Sequence, residues 1–230
     1  VTATALQAAE NLIRVIDPGM RDIPIYLIDA REYQVDDVGY SCDAYTAYLL
    51  DLQLSCQLAE RGLWKGDGFA TVLFPDRIGT AQRFVTGVVL HELGHHLCFP
   101  DRPALVGDVA AVAAVADEIC RFANDADAQI TQPRPPWLRH GADFVRACCH
   151  LIHRASKLNS ELAPWHGKFS SAYYSVDEVV WMRILQDELR ELEQLPIRAI
   201  LQMAPSRDFA ELHRLLTAWW QPAEETGSNN

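Results

Sequence analysis

The stretch Ala81–Cys98, AQRFVTGVVLHELGHHLC, constrains this chain more than any other part of it. Thr80 can serve as its N-cap, Pro100 and Pro103 stop it, and the residues between suit a helix of that length. Val88, Val89, Leu90, Leu93 and Leu97 give the helix an apolar face that has to be buried. His91, Glu92 and His95 are interleaved with those residues, so their side chains point into the structure or a cleft rather than into bulk water. Gly94 costs a helix interior up to ~1 kcal/mol relative to Ala, a cost explicable if another backbone passes closely there.

Two short apolar runs precede this helix. Ile23–Asp29 and Phe69–Phe74, each bounded by Pro, Gly or Asp, are expected to be strands. Between them Asp43–Arg61 carries apolar residues at helical spacing and stops at Gly62, and Trp64–Gly68 is expected to turn the chain into the second strand. Further helices are expected over Ala104–Gln129, Gly141–Lys157, Val176–Leu192 and Asp208–Trp220, the first ended by Pro133-Arg134-Pro135-Pro136. The expected class is α+β, rich in helix, with a small sheet before the histidine-bearing helix.

With 230 residues, about half of them hydrophobic, the chain can bury a full core without disulfides. One domain over residues 1–223 is expected, followed by a polar, disordered tail over 224–230. A formal net charge of −11 argues against nucleic acid or an anionic membrane as the main partner, although Arg134, Arg139, Arg146 and Arg154 fall in one region. No apolar run reaches the length of a membrane span, and Val1–Arg14 reads as an amphipathic helix rather than an export signal. The six cysteines, Cys42, Cys56, Cys98, Cys120, Cys148 and Cys149, form no CxxC pair. Reduced thiols in a cytoplasmic protein are the expectation.

The chemistry lies in His91-Glu92-Leu93-Gly94-His95, an HExxH motif. Residues four apart on a helix lie one above the other, so His91 and His95 can direct two imidazoles at one Zn²⁺ ion. Glu92 lies one step around and can take the proton of a water whose pKa the metal lowers toward ~7. An apolar strand followed by HELGH resembles the active-site region of the zincin metallopeptidases. The resemblance implies a zincin-like domain, a peptide or protein substrate, hydrolysis with Glu92 as base, and Phe69–Phe74 as the edge strand that holds an extended substrate.

A catalytic zinc needs a third protein ligand. His140, in His140-Gly141-Ala142-Asp143-Phe144, resembles the HGxxF element of SprT-like proteases and completes the expected set His91, His95, His140. Its gap from His95 is longer than in that family. Glu118, beside Asp117, is a second candidate by likeness to gluzincins and ImmA-like peptidases, and Asp101 a third by likeness to short metzincin motifs with Cys98 where glycine is usual. The SprT resemblance also implies DNA-linked protein substrates, against which the acidic charge and the lack of a zinc ribbon argue. His150 and His153 read as ordinary helix-face residues, and His96 points about a quarter turn from His95. Tyr173, Tyr174 and His166 are candidates to stabilise an oxyanion. The alternative is a zincin-derived binding or regulatory module with a structural or vestigial zinc site.

Overall fold

The Thr2 hydroxyl oxygen accepts the Ala5 N–H at 3.2 Å and starts α1 (Ala3–Ile16), which buries Ala5, Ala9, Ile13 and Ile16 along one face. The structure, a computed structural model, describes residues 2–33, 44–46, 58, 60–65, 67–78, 81–98, 141–167 and 178–218. A 3-10 turn (Pro18–Met20) leads to β1 (Ile25–Asp29), and then follow β2 (Ala44–Thr46), β3 (Phe69–Leu73), α2 (Pro75–Ile78) and α3 (Gln82–Cys98). Beyond them lie α4 (Ala142–Leu158), a second 3-10 turn (Pro164–Gly167), α5 (Glu178–Ile184), α6 (Gln186–Glu191), α7 (Ile197–Leu201) and α8 (Arg207–Ala218). The architecture is α+β and rich in helix, with a small sheet ahead of α3. No described helix is long and apolar enough to cross a membrane. The segment Ala104–Gln129 and the tail 224–230 lie outside the described residues.

The three strands run in the order β1-β3-β2, with β1 parallel and β2 antiparallel to β3. Every residue of β3 is buried, as befits a strand covered on both faces. Alternation splits it cleanly: Phe69 and Leu73 join the main core with the helices, whereas Ala70 and Val72 face a second cluster with Ile28, Leu58, Trp64 and Phe74. This arrangement corrects two expectations. Phe69–Phe74 is not an edge strand, because β3 is paired on both sides. Among the described strands the antiparallel edge is β2, which lies against α3. Of the helix expected over Asp43–Arg61, Ala44–Thr46 is instead strand paired with β3, where cross-strand pairing overrides local helical spacing, and residues 47–57 lie outside the described residues.

Turn chemistry follows the sequence closely. Gly62 takes a φ of 70° where the preceding helical segment ends, and the Leu63 N–H closes back on the Leu58 carbonyl at 2.8 Å. At Gly68 (φ 66°) a Cβ would lie 2.1 Å from the Pro24 carbonyl oxygen, so only glycine admits the chain to β3. The single helix expected over Val176–Leu192 is instead α5 and α6, separated at Leu185, and α7 was not foreseen.

α4 carries its charge inward. Arg146 and Arg154 are buried, which removes them from any basic surface patch; Arg134 and Arg139 lie outside the described residues. The Arg154 guanidinium donates to the carbonyls of Ile16 (2.9 Å), Leu192 (3.0 Å) and Leu195 (2.8 Å), closing the C-terminal end of α1 against the chain after α6. Arg146 donates to Glu188 Oε1 at 2.7 Å and to the Met203 carbonyl at 2.7 Å. His150 Nε2 lies 3.0 Å from the same Oε1, and as a carboxylate only accepts, that nitrogen carries the proton. The Ser206 N–H donates to Glu188 Oε2 at 3.1 Å.

Burial alone would raise the Glu188 pKa, but the bonds from His150 and Arg146, the Arg146 charge and the Ser206 N–H outweigh it and hold the carboxyl at about 2, against an ordinary 4.5. Burial lowers the His150 pKa below 6.5 despite the opposing pull of Glu188. Both groups bind fewer protons folded than unfolded, so their contribution is present at neutral pH and is lost on acidification. For His150 the loss begins near 6.5, and for Glu188 it runs from 4.5 to about 2. Glu188→Gln leaves Arg146 as a buried, uncompensated charge and should cost ~3–5 kcal/mol at pH 7, read by urea unfolding. It should also flatten the acid dependence below pH 4.5, and an unchanged acid profile would mean that Glu188 is not held in its charged form by this network.

Candidate metal centre

α3 is buried almost all round, with Val85 through Leu90 enclosed without a break. It lies against α1, α4, β2, β3, α7 and the Pro164–Gly167 turn. Such a helix belongs in a domain core, yet this one carries His91, Glu92, His95 and His96. His91 and His95 are half-buried, Glu92 and His96 buried.

The two imidazoles stand on one face with ring centres 5.0 Å apart and planes at 74°. Two imidazoles on one tetrahedral zinc, each with its nitrogen about 2.0–2.1 Å from the metal, have ring centres roughly 5 Å apart, so the spacing fits a shared ion. Phe144, from the first turn of α4, closes one side of the pair. Its ring is stacked on His95 (4.2 Å between centres, 27°) and meets His91 edge-on (4.9 Å, 71°). Among the described residues no third His, Cys, Asp or Glu joins the pair in a three-ligand group. His140, Glu118 and Asp101 all lie outside the described residues, as do Tyr173 and Tyr174.

Two glycines permit this packing. A Cβ on Gly94 would sit 2.5 Å from Cys148 Sγ and 3.2 Å from the Phe144 ring, so the close approach expected at Gly94 is made by side chains of α4 and not by a backbone. Backbone does approach at Gly87, where a Cβ would meet the His166 carbonyl oxygen at 2.1 Å. Gly87 stands one helical step of four before His91, and a glycine inside an apolar helix was the signal that could have located this contact.

His166 makes its contacts with residues other than the pair. Its Nδ1 accepts the Ala163 N–H at 2.8 Å and its ring packs edge-on against Phe84 at 5.4 Å. Phe84 precedes His91 by about 10 Å along the helix axis, so an oxyanion role at the pair is not supported. His150 is committed to Glu188, two turns along α4 from Phe144, and is not part of the centre. His96 faces the sheet, its ring against Phe69 at 5.4 Å, while Arg198 of α7 donates to its carbonyl at 3.3 Å. Burial and the Arg198 charge push its pKa down to about 3, so it is neutral. Cys98, Cys148 and Cys149 are free, and burial raises all three thiol pKa values, which keeps them protonated and inert. Cys42, Cys56 and Cys120 lie outside the described residues.

No known protein family, curated protein or solved structure matches the chain.

The two glycines make different demands. Gly94→Ala should cost ~1–3 kcal/mol in urea unfolding, as overpacking against a side chain does, and Cys148→Ala in the same chain should recover part of that loss. Gly87→Ala meets a main-chain carbonyl that cannot rotate away, so it should cost more. A Gly94→Ala protein as stable as the wild type would show that α4 is not seated as closely as the geometry requires.

Proposed function

We propose that the protein is a zinc-dependent peptidase of the zincin type. The observation that carries this reading is the His91–His95 pair, with ring centres 5.0 Å apart on one face of a helix and Glu92 one step around it. Zinc held there supplies a Lewis acid that polarises a substrate carbonyl and makes water acidic enough to be deprotonated near neutral pH. Glu92 accepts the proton from the attacking water on a carboxylate oxygen and returns it to the leaving amine nitrogen. Burial of Glu92 limits competing hydrogen bonds from bulk solvent. β2, antiparallel at the edge of the sheet and lying against α3, takes the substrate-strand role expected of β3.

His140 is the preferred third ligand. Gly141 is the N-cap of α4 and Phe144 in the first turn touches both imidazoles. In sequence His140 directly precedes Gly141. Glu118 and Asp101 lie farther along the chain from a described element. The SprT-like resemblance of His140-Gly141-Ala142-Asp143-Phe144 supports the same choice. The proposal extends to metal and reaction type, with a peptide or protein as substrate.

Glu92→Gln should lower hydrolysis of fluorescein-labelled casein or of a quenched-fluorescence peptide library by ~10²–10⁴-fold while zinc content is kept. Full activity in that variant would refute the assigned base. A wild type that holds zinc and cleaves neither probe would favour a zincin-derived binding module. Elemental analysis should find zinc lost in His140→Ala and kept in Glu118→Ala and Asp101→Ala; the reverse pattern would move the third ligand.

A further inference from the structure

Phe144 is fully buried in the main core, and there its ring stacks on the His95 imidazole and meets that of His91 edge-on. We infer that Phe144 is a positioning residue that sets the orientation of both metal-binding imidazoles; this rests on the zinc reading above. An imidazole on a helix keeps freedom about its last side-chain torsion, and that freedom must be lost when its nitrogen aims at a metal. Metal-bound histidines are usually fixed by a hydrogen bond from the other ring nitrogen. Phe144 adds a restraint by contact: a near-parallel stack at 27° blocks rotation of the His95 ring, and an edge-on approach at 71° limits His91 from the same side.

The contact reaches back to the packing of two helices. With no side chain at Gly94, α4 comes close enough for Cys148 Sγ and the Phe144 ring to occupy the space a Cβ would take. One aromatic residue on α4 is thereby brought to two residues four apart on α3. A leucine at position 144 would fill much of the volume but offer no flat face, and the two imidazoles would sample more orientations.

The test compares Phe144→Leu, Phe144→Tyr and Phe209→Leu, the last a control in which a buried phenylalanine away from α3 is truncated. Zinc affinity of the full chain is measured by chelator competition, and cobalt(II) in place of zinc reports coordination geometry through its visible absorption. Phe144→Leu should weaken zinc binding ~10–100-fold and alter the cobalt spectrum. Phe144→Tyr, which keeps the flat ring, should retain the wild-type spectrum, and Phe209→Leu should lower thermal stability without moving either metal readout. Wild-type affinity and spectrum in Phe144→Leu would overturn the inference and leave the zinc site standing. Failure of the wild type to bind zinc or cobalt would overturn both.

Discussion

A helix that is apolar on nearly every side can carry two histidines and a glutamate only if its neighbours come close enough to exclude water and still leave those groups something to do. α3 meets that condition at two points where it has no side chain. At Gly94 it receives Cys148 and Phe144 of α4, and at Gly87 the main chain of the Pro164–Gly167 turn. His91 and His95 are half-buried and Glu92 is buried on this helix, where burying a polar group costs free energy that its contacts have to offset.

α4 has to be held at that distance, and its buried charges fix its rotation. Arg146 reaches Glu188 and Arg154 reaches the carbonyls that end α1 and follow α6. A buried ion pair adds little net stability by itself, because desolvation offsets the attraction. Its effect is selective: turning α4 about its axis would strand two guanidinium groups, so few rotations other than the observed one are tolerated. That orientation is also the one that presents Phe144 and Cys148 to α3. Packing at the centre is thus specified partly from the far side of the same helix.

The legible parts of the sequence were those in which a local rule and the tertiary structure agree. α1, α3, α4 and α8 follow from 3.6-residue periodicity, Gly62 and Gly68 from turn chemistry, and the shared face of His91 and His95 from their spacing. Where long-range pairing decides, the sequence was misleading. Three residues of β2 lie within a helical pattern and become strand because β3 offers an unpaired edge, and this moves the edge of the sheet from Phe69–Leu73 to Ala44–Thr46. Glu188 gave no sign of its role, since a carboxylate forty-two residues from Arg146 looks like any exposed helix residue until the two are folded together. Gly87 did carry a signal, the same one as Gly94, and its partner lies in a turn that periodicity does not describe.

The central claim is that His91 and His95 hold one zinc ion between them. Calorimetric titration of zinc into metal-free protein tests it directly, on the wild type beside His91→Ala and His95→Ala, with thermal unfolding of each metal-free chain as a check on folding. The account requires one zinc per chain in the wild type and loss of that site in either variant while the fold persists. No uptake by the wild type, or uptake that survives removal of either histidine, would contradict it.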